Sequence, residues 1–270
     1  MKKLKVGITG STGSLGKELI KQNKCSFIKF RGDIRSRHHV REWFEKNRFD
    51  AVIHLAAIVP IKKVNENKKK ALKVNFNGTK YIVNEIYKHK INWFFFASTS
   101  HVYNSSKKKI SENYKLNPIS YYGKTKKLAE EYIIKKLKNT NVKYCIGRIF
   151  STTNKSQKKN YLVPDLKYKI KKAKKKITLD NLNHYRDFIS IEDISEIIIV
   201  LLKKRFKGIL NLGSGKGIFL KDIAKIIGKK YNKKVIFNNN KITTYLIANI
   251  NRLLKNYKFK KSKKIENLIF

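Results

Sequence analysis

Three glycines near the start of the chain, Gly10, Gly13 and Gly16, stand where an apolar segment meets an amphipathic one. The stretch reads VGITGSTGSLGKEL: a predicted strand, a tight turn and a predicted helix. The first glycine permits the turn, the second leaves room for a pyrophosphate beside the backbone, and the third lets helix and strand pack closely. Free N–H groups at the helix start then face the phosphates. The motif predicts a dinucleotide-binding unit, and the alternative is a Gly-rich turn with no ligand.

Short apolar segments alternate with amphipathic helices over the first 150 residues. The predicted strands are LKVGITG, SFIKF, FDAVIHLAA, INWFFFAS and VKYCIGRIF. Such alternation is typical of a parallel sheet covered by helices on both faces. We therefore expect an α/β, doubly wound, Rossmann-like fold, with residues 1–150 as the dinucleotide-binding domain. Beyond this point the pattern loosens, and residues 151–270 are expected to form a smaller substrate-binding lobe interleaved with the last strands of the sheet.

The formal net charge is +46, from 64 Lys and Arg against 18 Asp and Glu. Such a charge raises the question of a nucleic-acid or anionic-membrane partner. We favour the interpretation that lysine has accumulated at solvated positions without a binding role. Only nine of these cations are Arg, the residue that binds bases and phosphates bidentately. The two cysteines have no metal-ligand spacing, and neither a signal peptide nor a membrane-spanning run is evident. We expect a cytoplasmic protein with no metal site, no specific nucleic-acid partner and no membrane insertion.

The stretch ISYYGKTKK places two tyrosines and three lysines at the start of a predicted helix. Lys126 is four residues after Tyr122, so both side chains share one helix face, whereas Tyr121 points about 100° away. A phenol is a poor base near neutral pH, and a nearby ammonium favours its ionised form. Tyr122 can then exchange a proton with a hydroxyl group. Because the chain is rich in both residue types, this spacing alone also arises by chance.

Hydroxyl side chains end the strand before this helix, in FFFASTSHVY. The carboxyl ends of strands in α/β sheets are where ligands bind. Together with the glycine spacing and the Tyr122–Lys126 pair, this segment resembles the extended short-chain dehydrogenase/reductases of the NAD-dependent epimerase/dehydratase family. The resemblance implies that residues 1–150 form an NAD(P)-binding Rossmann domain with three catalytic groups. Thr99 would orient the reacting oxygen, Tyr122 would transfer the proton, and Lys126 would tune Tyr122 and hold the nicotinamide ribose.

The same resemblance implies a cofactor site lined by two further segments, DAVIHLAA and VNFNGT. Asn75 is expected to support the active-site backbone and Ser98 to bond backbone or cofactor. For Asn75 and His54 the alternative is a satisfied polar group of the core. The implied cofactor-binding residues are Gly10, Ser11, Thr12, Gly13, Leu15, Gly16, Arg31, Asp33, Ile34, Leu55, Ala56, Ala57, Asn75, Ser98, Tyr122 and Lys126.

The choice between NAD and NADP depends on the end of the second strand, where an acidic residue is expected to accept the ribose hydroxyls. Here SFIKF leads directly into Arg31, Gly32, Asp33 and Ile34. The GDI segment resembles the end of the family's third strand, where the Asp contacts the adenine edge, so the usual stretch between strands is compacted. Arg31 can neutralise a 2′-phosphate, which favours NADP, and the alternative is a surface cation.

The segment HYRDFISIEDI is similar to one in nucleotide-sugar epimerases and reductases, whose Arg pairs with the substrate diphosphate. Arg186 would do so here, and the alternative is a structural ion pair with Asp187. The implied substrate-binding residues are Ser100, His101, Ser151 and Arg186. Dehydratases of the family carry Asp-Glu where this chain has Ser100 and His101, which favours an epimerase or 4-ketoreductase. His101 is expected to bond backbone, and the alternative is an extra acid/base.

The resemblance covers residues 4–257 and implies an NAD(P)-dependent epimerase or 4-ketoreductase of a nucleotide-activated sugar. Its expected setting is surface polysaccharide biosynthesis, and its expected assembly is a homodimer. The sequence leaves open the sugar and the choice between the two reactions. The alternative is a catalytically weak Rossmann-fold module that senses a cofactor or binds RNA, with an RNA affinity that survives moderate salt.

Overall fold

A computed structural model describes residues 3–155, 157, 161–238, 242–259 and 264–270. The strands are β1 (Lys5–Thr9), β2 (Ser26–Lys29), β3 (Ala51–His54), β4 (Trp93–Thr99), β5 (Lys143–Ile149), β6 (Ser151–Thr153), β7 (Lys176–Leu179), β8 (His184–Ser190), β9 (Gly208–Leu212), β10 (Gly217–Phe219), β11 (Lys234–Phe237) and β12 (Thr244–Leu246). The helices are α1 (Ser14–Lys21), α2 (Arg37–Glu45), α3 (Ile61–Glu66), α4 (Lys68–Leu72), α5 (Gly78–Lys88), α6 (Tyr121–Leu137), α7 (Leu162–Lys172), α8 (Ile191–Lys203), α9 (Leu220–Tyr231), α10 (Asn251–Leu254) and α11 (Ile265–Ile269).

Six parallel strands form the central sheet in the order β2-β1-β3-β4-β5-β9. Alternate side chains of each strand enter the cores on the two faces of the sheet. In β4, Trp93 and Phe95 pack with α8, while Phe94 and Phe96 pack with α2, α5 and α6. The inner strands β1, β3, β4 and β5 are buried on both faces, which explains why they read as continuous apolar runs. The predicted doubly wound α/β fold is confirmed.

The edge strand β2 leads within four residues into Asp33 and Ile34, so the compaction expected from the sequence is visible in the sheet. A single strand lies on that side of β1 in the described sheet. Ile34 is buried, and a Cβ on Gly78 would come within 2.8 Å of its side chain. The GDI segment is therefore packed directly on the start of α5.

The helical region between β3 and β4 is interrupted by a π-helical turn over Lys73–Asn77, between α4 and α5. The side chain of Asn75, within this turn, bonds to residues outside it. It accepts a hydrogen bond from the Ile58 N–H (2.8 Å) and donates to the Ile58 carbonyl (3.0 Å) and to Thr125 Oγ1 (3.2 Å). One buried amide therefore joins the loop after β3 to α6.

The C-terminal part of the chain has its own apolar core, formed by α7, α9 and the strands beside them. Strand β9 nevertheless returns to the main sheet beside β5. Asp187 of β8 is fully buried and accepts hydrogen bonds from the N–H groups of Ser214, Gly215 and Ala248 at 2.7, 2.9 and 3.1 Å. Within the described ranges, no helix combines the length and apolar character needed to cross a membrane.

Candidate active site

The glycine turn leaves open space at one of its three glycines. Gly10 has a positive φ of +71°, and a Cβ there would lie 2.7 Å from the Ala56 nitrogen. A Cβ on Gly16 would overlap the carbonyl of Gly10. A Cβ on Gly13 would meet only that same carbonyl, at 3.3 Å. Gly13 is also the N-cap of α1 and supplies no side-chain cap, so the helix start is free to bind an anion.

Gly13→Val is therefore expected to leave the fold intact and to abolish dinucleotide binding. The backbone of Gly13 has φ −72°, which any residue adopts, but its side chain would occupy the space left for the phosphates. Calorimetric titration with NAD and NADP measures the loss of binding, and thermal unfolding measures whether the fold is intact. Gly16→Val is the matched control and should lower the unfolding temperature strongly. Normal cofactor affinity in Gly13→Val would contradict the assignment of this turn.

Behind the glycine turn, a chain of hydrogen bonds crosses from β1 to α5. The Ala56 N–H donates to Thr9 Oγ1 (3.2 Å), and Thr9 Oγ1 lies 2.6 Å from His54 Nδ1. His54 Nε2 lies 3.0 Å from Thr79 Oγ1, which donates to the Asn75 carbonyl (2.7 Å). Burial, with the charge of Lys126, lowers the pKa of His54 to about 3. His54 is thus a neutral, fully bonded residue that fixes the sheet edge, which agrees with its alternative interpretation as a core polar group.

The three predicted catalytic residues lie where β4 ends and α6 begins. Ser120 caps α6 by accepting from the Gly123 N–H (3.1 Å), which sets Tyr122 in the first turn. Tyr122 is 6% exposed, and its phenol lies close enough to Thr99 for that side chain to influence its ionisation. Burial raises the pKa of Tyr122 well above that of a free phenol, and the neighbouring Thr99 hydroxyl opposes that rise. Lys126 lies one turn further along the same face.

Lys126 is almost fully buried, and its Nζ lies 3.9 Å from the centroid of the Phe96 ring. Burial lowers its pKa to about 7, and the charge of Glu130 acts in the opposite direction. Near neutral pH in the free protein, Lys126 is therefore only partly protonated. A bound anion or hydroxyl group beside Nζ would favour the charged form.

The residues around Thr99 differ in part from what the sequence predicts. Ser98, expected to bond backbone or cofactor, instead donates to the Glu130 carboxylate. Thr99 Oγ1 accepts from the His101 N–H (3.2 Å), and Ser100 is buried. The ring of His101, expected to bond backbone, lies edge-on to Tyr122 at 6.0 Å between centroids. Burial, with the charge of Arg186, lowers the pKa of His101 to about 4.

Arg186 reaches the same region from β8. Its guanidinium donates to the carbonyls of Tyr185 (2.8 Å) and Thr244 (3.1 Å) and to Thr244 Oγ1 (2.9 Å). Asp187 bonds the Ser214, Gly215 and Ala248 backbone, so the structure does not support the alternative of an Arg186–Asp187 ion pair. Burial lowers the pKa of Arg186 to about 10. A half-buried guanidinium bonded to neutral oxygens is suited to an anionic ligand.

The remaining predicted residues lie along the sheet edge. Leu55, Ala56 and Ala57 are half-buried beyond β3, and Ser151 pairs with Phe188 in the register of β6 and β8. Arg31 is exposed beyond β2. Asp33 is bound by Arg35 at 2.6 Å, and that contact lowers the Asp33 pKa to about 2. The described positions Ser11, Thr12 and Leu15 belong to the turn and the first turn of α1.

The sequence profile of the NAD dependent epimerase/dehydratase family matches residues 6–213. The chain belongs to this family. It is similar to the GDP-6-deoxy-D-talose 4-dehydrogenase of Aggregatibacter actinomycetemcomitans, with 28% identity over 237 residues that cover 83% of this chain and 79% of that protein.

Two solved structures share the fold of this family member at low sequence identity. The UDP-glucose 4-epimerase of Thermus thermophilus in complex with NAD has a TM-score of 0.88 at 18% identity, covering 98% of this chain and 97% of that one. RMD from Pseudomonas aeruginosa, complexed with NADPH, has a TM-score of 0.89 at 16% identity, covering 98% and 96%. The resemblance inferred from the sequence is thereby confirmed at the level of family and fold.

The family's dinucleotide fits the residues present, because the Gly13 cradle and the uncapped start of α1 leave room for its phosphates. Two polar residues at this site, Tyr161 and Glu130, were not predicted from the sequence. Tyr161 lies close enough to Tyr122 to raise the pKa of its phenol. Glu130 lies one turn beyond Lys126, and the 122–126–130 spacing was the signal that could have identified it.

Proposed function

We propose that the protein is an NAD(P)-dependent epimerase or 4-ketoreductase of a nucleotide-activated sugar, in surface polysaccharide biosynthesis. The observation that carries this proposal is the buried Thr99–Tyr122–Lys126 group at the carboxyl end of β4. In this proposal residues 1–150 bind the dinucleotide and residues 151–270 bind the substrate. The proteins that this chain is similar to include a 4-dehydrogenase and a 4-epimerase by name. The choice between the two reactions is therefore left to experiment.

Tyr122 transfers the proton: its hydroxyl exchanges a proton with the sugar hydroxyl or carbonyl oxygen. Thr99, which lies next to that phenol, would hold the reacting oxygen beside it. Lys126 shares the helix face of Tyr122 and would bind the nicotinamide ribose, where its charge favours phenolate. When bound, the dinucleotide supplies the nicotinamide that accepts or gives the hydride.

The substrate's diphosphate would bind Arg186, beside which His101 reaches toward Tyr122. His101 is neutral over the physiological range and Ser100 is uncharged, so this position lacks the acidic pair of a dehydratase. Together with Ser151, these side chains would set the place of the sugar between the diphosphate and the proton-transfer group. This arrangement supports chemistry at a carbinol or carbonyl carbon over elimination of water.

For the cofactor we infer a preference for NADP, carried by Arg31. Arg31→Glu is expected to weaken NADPH binding by about tenfold or more, because a charge-assisted bond to the 2′-phosphate is replaced by repulsion. NADH binding should change little. Fluorescence titration with both reduced cofactors checks this, with Arg37→Glu, another exposed arginine, as the control. An equal effect of Arg31→Glu on both cofactors would contradict the preference.

The function is tested by incubating the protein with UDP-, dTDP- and GDP-sugars, including 4-keto forms, beside Tyr122→Phe. Mass-resolved chromatography follows the sugars, and absorbance follows the reduced cofactor. Conversion without net cofactor change, lost in the variant, identifies an epimerase. Conversion with stoichiometric loss of NAD(P)H identifies a reductase. If wild type and variant are equally inert on every sugar, the catalytic proposal fails.

A further inference from the structure

Glu130 is a buried carboxylate on the catalytic helix. It lies one turn after Lys126 and two turns after Tyr122, so the three side chains follow one face of α6. Its side chain is 1% exposed. An ionised carboxylate at that depth is costly unless its charge is neutralised and its oxygens are bonded. The proton-transfer roles above do not use it.

Both oxygens of Glu130 are occupied by groups from two neighbouring strands. Arg148 of β5 donates Nη2–H to Oε2 (2.7 Å) and Nε–H to Oε2 (3.1 Å) and Oε1 (3.2 Å). Ser98 of β4 donates its hydroxyl to Oε1. Ser98 is the residue directly before Thr99. The carboxylate therefore fixes the helix that carries Tyr122 and Lys126 against the strand that carries Thr99.

Arg148 extends these contacts to the segment between β4 and α6. Its Nη1 donates to the Tyr103 hydroxyl (2.7 Å) and to the Glu112 carbonyl (2.8 Å). The Tyr103 hydroxyl in turn donates to Asn211 Oδ1 (2.8 Å) in β9, and Asn211 Nδ2 donates to the Ile110 carbonyl (2.8 Å). One buried network thus spans α6, three strands and the loop after Thr99.

We propose that Glu130 is a positioning residue of the Tyr122–Lys126 pair: it fixes their helix against β4 and β5, and its carboxylate, one helical turn from Lys126, favours the ammonium form of that side chain. The catalytic role of Glu130 rests on the proposed function. Its effect on the charge of Lys126 is a property of the free protein and can be tested without any substrate. Glu130 acts through Lys126 and does not itself contact the reacting atoms.

The surroundings of Lys126 explain why this charge matters. Phe96 of β4 presents its ring face at 3.9 Å, His54 at the end of β3 is neutral, and Tyr122 on α6 is a protonated phenol. Farther out, His101 is also neutral, and Arg148 is a cation that Glu130 itself binds. Glu130 is the anion of this group, and it opposes the lowering of the Lys126 pKa by burial.

The test isolates the titration of Lys126 without cofactor or substrate. The free energy of unfolding is measured against pH for wild type and Lys126→Met, and their difference changes slope at the folded-state pKa of Lys126. The same pair is measured in the background of Glu130→Gln. We expect the change of slope to move down by about 1 pH unit or more, the effect of removing a nearby opposite charge. The alkaline limb of kcat should move in the same direction.

Glu131→Gln is the matched control, since Glu131 is the next residue of α6 and pairs with Lys127 at the surface with 54% of its side chain exposed. That variant should leave the change of slope where it is in wild type. An unmoved change of slope in folded Glu130→Gln would overturn the proposal and leave Glu130 a structural residue. It would not touch the proposed function, which the sugar panel tests separately.

Glu130→Gln leaves Arg148 buried without its anion and can prevent folding, since breaking a buried ion pair by removing one partner is strongly destabilising. In that event Glu130→Gln combined with Arg148→Met carries the test, because the double variant leaves neither member of the pair as an unpaired buried charge. The double variant also lacks the Glu130 charge, so the change of slope should again lie below that of wild type. A wild-type position in the double variant would overturn the proposal.

Discussion

Tyr122→Phe is expected to lower the turnover of a nucleotide sugar by about 10²–10⁴-fold, the contribution typical of a positioned proton-transfer group. The substitution removes one oxygen and leaves the ring. That ring packs with Val64 and Ala71 in a small apolar cluster, so the variant should stay folded. Its loss of activity would then reflect proton transfer alone, with cofactor binding largely retained because the phosphate cradle at Gly13 is unchanged.

Tyr121→Phe is the control for this experiment. Tyr121 is the neighbouring phenol in the same helical turn, half-buried, with the Nζ of Lys68 5.8 Å from its ring centroid. Both variants delete a single tyrosine hydroxyl within two consecutive residues. Rates under single-turnover conditions and cofactor affinities should therefore be compared for both. Equal rates for the two variants would contradict the choice of Tyr122 over Tyr121.

The sequence predicted the fold because strands and helices here carry strong local signals. The strand INWFFFAS and the glycine turn reappear as β4 and the β1–α1 connection. Parallel strands buried on both faces need continuous apolar runs, and the predicted chain order of strands follows from these runs. The compaction before Asp33 was predicted because the GDI segment, which resembles the end of the family's third strand, follows SFIKF so closely.

The parts that the sequence did not predict depend on contacts distant along the chain. Strands β7 and β11 are four residues each, begin in lysine-rich segments and pair with partners 58 residues away, so periodicity gave no usable signal. The π-helical turn at Lys73–Asn77 is held by Asn75 through Ile58 and Thr125. Neither contact has a local signature, since both are formed only when the sheet edge and α6 are in place.

The polar network behind the site shows the same limit. The spacing of Tyr122, Lys126 and Glu130 on one helix face is visible in the sequence, but the partner Arg148 is brought in by β5. Helix periodicity predicts which side chains share one face of a helix. The register of the sheet determines which residues pack against that face. The same register separates Arg186 from Asp187, neighbours in sequence whose side chains bond different groups.

Lys126→Met is expected to raise the free energy of unfolding near pH 7 while abolishing turnover. Lys126 is buried, and its pKa falls from 10.5 to about 7 in the folded protein. Between these values the unfolded chain binds a proton that the folded chain does not, so the stability of wild type rises with pH over this window. Below pH 7 the full cost of the buried ammonium is present.

A difference of that size corresponds to an expected stabilisation on the order of 4 kcal/mol at pH 7, since each pKa unit represents about 1.4 kcal/mol. The gain should shrink as pH rises toward 10, where lysine in the unfolded chain also loses its proton. Urea unfolding at a series of pH values measures it, and Lys127→Met, at a partly exposed position of the same helix, is the control and should show little change. If Lys126→Met is no more stable than wild type at neutral pH, the ammonium is better solvated in the fold than its burial indicates. A stable but inactive variant would mean that the fold carries a destabilising residue because the chemistry of Tyr122 needs it.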